Sequence, residues 1–591
     1  MTFREFSKEI DELILNSVRK NKTQNIIKKF LKGEITEIYS QESINLFINR
    51  LRKKAVRDFE SIGNEIDLSG SVEEKINEIQ RIFFPENLLD YEETIKHVRG
   101  KRRVEISKLD EPIIDNPYKE ILITSNVLLT MPKNKENLPS EYKSKVDFEE
   151  KQKYWYDHPV PIDTPDSENE IIYGLTKLND SVSVETNEKV TVVLSISCTH
   201  DSLNIIAKKY LRDILRTYDL ENLNVYAFTE DDVEKMIDIV IKDDIKREET
   251  KKVIGVSGKY GRHYSFLKAV SVFWSYYIDP RIKATFKIDL DQVFDQRALH
   301  KYTGKFAFEI FKDKLWGSVG VHNGEEVQLG MIAGSLVNDY DIKKSLFEPD
   351  IKKDEITITY DKFIFNSQKP QYISTIAEMG TRYKKKDNPI IRYHVTGGTN
   401  GILVEDLIKY KPFTPSFIGR AEDQAFILSI IDKKIHGKYL RYYHNDKLVM
   451  RHDKHNLIKK TIEESKIGKL IGDYERILLF SYYASDILDN YDYIKEELFP
   501  FTGCFITKIP FLTVYFRALL KTYSLAEENE IEAKEFLLEI SERLNEIISK
   551  IEDGYYKDQF QKEKIVWENF YNSFIEKTEE NEQLLADIRI K

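Results

Sequence analysis

Cysteine is almost absent from this chain of 591 residues: there are two, Cys198 and Cys504, far apart. That fits a reducing compartment and excludes a cysteine-based zinc centre. No stretch approaches the roughly 20 apolar residues of a membrane span. The start, Met1-Thr-Phe-Arg-Glu-Phe-Ser-Lys-Glu-Ile-Asp11, lacks the apolar core of a signal peptide. The expected compartment is the cytoplasm, with no integral membrane segment and any membrane contact peripheral. Positive charge is not in excess either. With 90 Lys and Arg against 100 Asp and Glu, the net charge of -10 argues against a nucleic-acid binder driven by phosphate neutralisation. What the chain does have is 41% hydrophobic residues, 12% of all residues being aromatic, enough for real cores in several domains.

Four regions follow from composition and periodicity. Residues 1–115 are Lys/Glu/Ile-rich with helical spacing at Ile10, Leu13, Ile14 and Val18, and few Gly or Pro before His97-Val-Arg-Gly-Lys-Arg-Arg103. Residues 116–187 read as a connector with short strands: an apolar run Ile121–Leu129, then a Pro- and charge-rich stretch through Trp155-Tyr-Asp-His-Pro-Val-Pro-Ile-Asp163. The aromatics around Tyr154 to His158 are expected to dock on a neighbouring surface rather than to bind a ligand. Residues 188–455 alternate strand and helix, with strands expected at Val190–Ser197, Leu223–Thr229, Val253–Ser257 and before Asp289. Residues 456–591 are helical again. There Ala533, Leu537, Ile540, Leu544, Ile547 and Ile551 form a seam that suits a packed accessory domain better than a dimerisation coil, although self-association through the helical regions stays open.

Alternating strands and helices imply an α/β domain with a mainly parallel sheet, and ligands then bind outside the carboxyl ends of the strands. Four polar tips lie at such ends: Ser197 to Asp201, Thr229 to Asp232, Gly258 to His263, and Asp289 to Asp291. The last is the most informative. In Thr285-Phe-Lys-Ile-Asp-Leu-Asp-Gln-Val-Phe294 two carboxylates one residue apart end an apolar run, and period two along a strand would put both on one side. Their repulsion calls for a cation, and Mg²⁺ or Mn²⁺ held by carboxylates plus substrate phosphates is a common solution. The plainer reading is that both simply begin a polar loop. Ser257-Gly-Lys-Tyr-Gly-Arg-His-Tyr264 is Gly-rich but lacks P-loop spacing.

This order of motifs resembles the nucleotide-sugar-binding domain of GT-A glycosyltransferases, particularly the family 2 group. The resemblance rests on Val192-Val-Leu-Ser-Ile-Ser-Cys-Thr199, on Asp289-Leu-Asp291 at the DxD position, and on Gly419-Arg-Ala-Glu-Asp-Gln424 after Val395-Thr-Gly-Gly-Thr-Asn-Gly-Ile-Leu-Val404. It covers about 188–453 and implies a Rossmann-like catalytic domain flanked by N- and C-terminal helical regions. It also implies Mn²⁺ or Mg²⁺, a UDP- or GDP-linked sugar donor, and a carbohydrate, glycoconjugate or small-molecule acceptor, joined by inverting single displacement. Asp291 would be the direct metal ligand, with Asp289 a ligand too or else reaching the ribose. Asp423 would be the base and Glu422 would orient the acceptor; otherwise the two are the acidic first turn of a helix, where the dipole favours them.

Ser197 and Thr199 are candidates for contacting base or ribose, Glu230 for a uracil or guanine edge, and Arg262 for the diphosphate. Retaining relatives add a C-terminal histidine to the metal shell. Of His444, His452 and His455, His452 is the favoured match and would bring retention into play, against the plainer role of a surface or capping histidine. Where relatives carry an Asn in the helix after the Gly-rich loop, this chain has Ser265 and Lys268, which leaves the donor open. Trp316 would stack a sugar or fill a core. A nucleotidyltransferase is disfavoured because Ser195-Ile-Ser-Cys-Thr-His-Asp201 lacks its Gly-rich basic signature. A noncatalytic sugar-binding or scaffold protein is the remaining alternative.

Overall fold

The computed structural model describes residues 1–17, 42–153, 159–338, 369–379, 389–452, 466–500, 505–574 and 582–591. The aromatic segment Tyr154 to His158, His455 and Cys504 lie outside the described residues. The chain forms two compact units: Met1–Val98 with Ile351–Ser374 and Leu470–Asp558, and Arg99–Asp350 with Thr375–Lys469 and Gln559–Lys591. The N- and C-terminal helical stretches thus contribute to one unit, while the last part of the chain belongs to the other.

The first unit is helical. Its helices Phe3–Ser17, Glu42–Ile62, Val72–Phe83 and Pro510–Glu528 bring Phe3, Phe6, Phe83 and Phe516 together, with Phe516 6.3, 5.8 and 6.0 Å from the other three rings. In the helix Glu530–Glu552, five of the six seam residues, Ala533, Leu537, Ile540, Leu544 and Ile547, are buried. They pack against Glu42–Ile62 and Pro510–Glu528 of the same unit, so the seam is internal.

The second unit is built on one sheet. Its strands are β1 (Glu105–Lys108), β2 (Ile121–Thr130), β3 (Val160–Pro161), β4 (Val190–Cys198), β5 (Leu223–Phe228), β6 (Ala284–Lys287), β7 (Gln292–Val293), β8 (Val319–His322), β9 (Glu325–Asn338), β10 (Ile391–Arg392), β11 (Asn400–Leu403), β12 (Lys434–Ile435) and β13 (Lys438–His452). The main path is β1-β8-β9-β11-β6-β2-β4-β5, with β13 alongside β9 and carrying β7, β10 and β12. The strands β2, β4, β5 and β6 pair in parallel. Their near-continuous apolar runs are what a sheet covered on both faces requires. The rest is largely antiparallel: seven of the twelve pairings among the described strands are so. The mainly parallel sheet expected from the sequence is therefore a mixed one. The cause is the connections, because a short hairpin such as Asn323-Gly324 between β8 and β9, with φ of 49° and 81°, can only return the chain antiparallel.

Two further differences matter for the site. The run Ile121–Leu129, read from sequence within the connector, is β2, at the centre of the sheet between β4 and β6. From β2 the chain winds outward to β4 and β5 and then returns to β6 on the other side, so the crevice where strand order reverses lies at the carboxyl ends of β2 and β6. The expected strand Val253–Ser257 does not form. The Glu230 carboxylate takes the amides of Val256 and Ser257 at 2.8 and 2.9 Å. The Arg262 guanidinium takes the carbonyls of Lys251, Val253, Ile254 and Ser257. Side chains have claimed the groups a sheet ladder would need. At the outer edge, the backbone of Ile590 and Lys591 pairs with Val225 of β5 and covers it.

Because Phe516 is fully buried among three other rings, Phe516→Ala is expected to cost about 3–5 kcal/mol. Urea denaturation monitored by circular dichroism would register this as a lower midpoint for the helical unit.

Candidate functional site

The site begins where β6 stops. Lys287 is its last residue, Ile288 is tied to β2 through the Thr124 carbonyl, and the chain turns with the Gln292 amide donating to the Asp289 carbonyl at 3.0 Å. Asp289 and Asp291 thus lie in a turn and not on a strand, so the period-two argument does not hold for them and each has its own partners. Asp289 Oδ1 is ion-paired with Lys287, which is 4% exposed, and Oδ2 accepts from Gln292 Nε2 at 2.8 Å.

Asp291 is brought to His452 by strand register. β7 runs antiparallel to the end of β13 with Gln292 opposite His452, so the preceding residue falls beside the imidazole. Asp291 Oδ2 and His452 Nε2 lie 2.6 Å apart, and His452 is 7% exposed.

A helix Glu170–Glu185 is seated on this turn. Gly174 allows it, because a methyl group there would lie 2.4 Å from the Leu290 carbonyl oxygen. Its first residue, Glu170, faces the two aspartates: burial, then the charges of Asp291 and Asp289, push its carboxyl up to about 8. Sequence reasoning missed Glu170, which sits in an ordinary helical pattern far from any motif. It also missed Lys287, although Lys-x-Asp at a strand end was there to be seen.

The loop Val395–Asn400 links the aspartates to the second acidic motif. At Gly398 a methyl group would meet Gln292 Oε1 at 2.4 Å and the Asp289 amide nitrogen at 2.9 Å, so only glycine fits. At Gly397 it would lie 3.5 Å from Glu422 Oε1 and 3.8 Å from Asp289 Oδ2. The two motifs therefore meet across one glycine. Glu422 and Asp423 open the helix Glu422–Leu428 after Ala421 at φ 61°. Asp423 is 5% exposed, and its carboxylate accepts from the Gln424 amide at 3.0 Å. Burial and then the Glu422 charge hold its carboxyl well above the ordinary range. Glu422 is the more exposed of the two.

The preceding loop is fixed by the helix Tyr555–Ser573. Buried Glu563 accepts from the Ser416 amide and hydroxyl, and Phe413 stacks on Phe560 at 5.4 Å. Thr414 in turn donates from Oγ1 to the Glu422 carbonyl and from its amide to Ser265. Lys268 donates to the carbonyl and side-chain oxygens of Asn400, and its pKa is driven well below the ordinary lysine value by burial and then by Lys287.

Four expected donor contacts have other roles. Ser197 is fully buried, its hydroxyl donated to the Val256 carbonyl. Thr199 is fully buried, hydrogen-bonded to Thr130 and His200. β4 ends between them, and residues 150–153 lie against that end, where Lys153 N donates to the Thr199 carbonyl at 2.8 Å. Glu230 and Arg262 form an ion pair at 2.5 Å, with the remaining guanidinium donors on backbone carbonyls, and so act as a structural clamp. Trp316 is 1% exposed and donates to the Gly330 carbonyl, a core residue.

At Asp291 and His452 a carboxylate oxygen and an imidazole nitrogen, two atom types a divalent cation accepts, are hydrogen-bonded to each other. Asp289 has its own partners in Lys287 and Gln292, and no group of three His, Cys, Asp or Glu residues among the described residues is arranged to hold a metal ion. No protein-family model and no curated protein matches this sequence.

Glu170 yields a pH prediction. Its pKa is raised from 4.5 to about 8 in the folded state, so the native chain binds this proton more tightly than the unfolded one. Stability from this group is greatest below the unfolded value and falls as pH rises through 8. In EDTA, Glu170→Gln should raise Tm by about 2–4 °C at pH 9 and much less at pH 5; differential scanning calorimetry at the two pH values decides it.

Proposed function

We propose that this chain is a metal-dependent glycosyltransferase that moves a sugar from a UDP- or GDP-linked donor to an acceptor hydroxyl. The observation that carries the reading is the meeting of Asp291 with His452 at the crevice end of β6, with Glu422 facing Asp289 across Gly397. Asp291 and His452 would hold Mn²⁺ or Mg²⁺, which when bound supplies charge to neutralise the leaving diphosphate.

The protein's own residues account for the rest. Glu422, less buried than its neighbour, is the proton acceptor for the attacking hydroxyl, and Asp423, whose carboxyl burial raises, orients the acceptor. This reverses the allocation the resemblance suggested. The acceptor oxygen forms its bond to the anomeric carbon as the bond to the diphosphate breaks, and the proton passes to Glu422, giving inversion. A retaining course is the second reading, favoured by the His452 contact; the anomeric configuration of the product, read by NMR, separates the two. No helix among the described residues is long and apolar enough to cross a membrane.

Thermal shift with UDP, GDP and their sugar conjugates, with and without Mn²⁺, tests the reading. One nucleotide should raise Tm by a few degrees only when Mn²⁺ is present, by mass action, and Asp291→Ala should abolish the rise. If no nucleotide stabilises the wild type under either condition, the noncatalytic alternative takes its place.

A further inference from the structure

We propose that the loop Thr396–Asn400 is a sugar clasp, in which the Gly397 and Gly398 amides donate to two neighbouring hydroxyls of the acceptor and Glu422 accepts from one of them. This rests on the glycosyltransferase reading above and names its acceptor as a neutral carbohydrate bearing adjacent hydroxyls. Asn400 sets the loop. Its Oδ1 accepts from the Tyr264 hydroxyl at 3.1 Å and from Lys268, so its amide nitrogen faces the other way. There Nδ2 donates to the carbonyls of Thr396, Gly397 and Gly398 at 2.7, 3.2 and 3.4 Å. The preceding carbonyl, of Val395, accepts from Gln424 Nε2 at 2.8 Å. A trans peptide carries its N–H opposite its C=O, so three carbonyls turned to Asn400 turn the amides of Gly397, Gly398 and Thr399 away from it. The Thr399 amide goes to the Lys287 carbonyl at 2.8 Å. Those of Gly397 and Gly398 have no acceptor among the described residues, although Gly397 is half-buried and Gly398 buried. Buried amides are nearly always paired, and successive free ones form a concavity that takes a ligand oxygen.

The neighbouring charges decide what that oxygen belongs to. A methyl group on Gly397 would lie 3.5 Å from Glu422 Oε1 and 3.8 Å from Asp289 Oδ2, so a ligand atom seated there meets carboxylate oxygens as well as amides. Lys287 offsets the charge of Asp289. A phosphate or carboxylate would accept from the amides but be repelled by Glu422. A hydroxyl accepts and donates at once, and so satisfies both. Two successive amides offer two such places, which adjacent hydroxyls of a sugar ring fill, one of them the hydroxyl that passes its proton to Glu422.

The test is NMR on the full chain labelled with ¹⁵N-glycine. It is titrated with the methyl glycosides of glucose, galactose, mannose and N-acetylglucosamine, and separately with inorganic phosphate, each alone and again with UDP or GDP and Mn²⁺. Gly397→Ala identifies the Gly397 resonance by its loss. Gly397 is not at positive φ and the added methyl has only ordinary contacts, so the backbone tolerates it while the clasp is filled. One glycoside should shift the Gly397 resonance, phosphate should not, and Gly397→Ala should bind that glycoside at least ten-fold more weakly. In its monodeoxy series on wild type, loss of either of two adjacent hydroxyls should cost at least ten-fold and loss of a third less than three-fold. That series needs no variant and keeps the test decisive if Gly397→Ala fails to fold. Phosphate shifting Gly397 more than any glycoside, equal glycoside binding by wild type and Gly397→Ala, or no glycoside bound under any condition would overturn the proposal. A glycoside held at Gly397 by a chain that binds no nucleotide would support the clasp while the transferase reading falls to the noncatalytic sugar-binding alternative.

Discussion

Glu170, Asp289 and Asp291 converge where β6 ends, and their mutual repulsion is the constraint around which the neighbouring residues are arranged. Unit charges about 5 Å apart at an effective dielectric of about 20 repel by roughly 3 kcal/mol, a large fraction of a domain's net stability. The fold answers each carboxylate differently. Asp289 is paired with Lys287, Asp291 with His452, and Glu170 is driven toward its neutral form. Three solutions at one place are costly to assemble, and a site that binds an ion or a charged substrate is the ordinary reason to assemble them.

The rest of the second unit follows from delivering these groups. β2 at the centre of the sheet fixes β6 by register, and β13, the long strand beside β9, carries His452 to β7. Close approach is secured by glycine at two points, Gly174 under Leu290 and Gly398 against Asp289, while Gly397 lies between Asp289 and Glu422. The helix Tyr555–Ser573 steadies the second acidic motif through Glu563 and Ser416. A segment remote in sequence therefore supports the second acidic motif of the candidate site.

Much of this was legible in the sequence, for definable reasons. The buried parallel strands β4 and β5 announced themselves as apolar runs, Asp289 and Asp291 stood out as paired carboxylates after such a run, and His452 was singled out through the family resemblance. What remained hidden was whatever depends on pairing between distant strands. The central place of β2 needs its partners β4 and β6 to be known, and the role of Glu170 needs the helix that Gly174 seats on the turn. Ser197, Thr199, Glu230 and Arg262 have internal partners that the sequence could not show, because a polar residue at a strand end looks the same in sequence whether it faces a ligand or satisfies buried groups. The antiparallel half of the sheet escaped because its short strands and hairpins leave little periodicity to read.

The central claim is that Asp291 and His452 form one cation site at the crevice end of β6. Anomalous diffraction from crystals grown with Mn²⁺ and a nucleoside diphosphate tests it most directly. The account predicts a manganese peak within bonding distance of Asp291 Oδ2 and His452 Nε2, with the Asp289–Lys287 pair intact beside it. A peak coordinated elsewhere, or none at these two residues under saturating Mn²⁺, would contradict it.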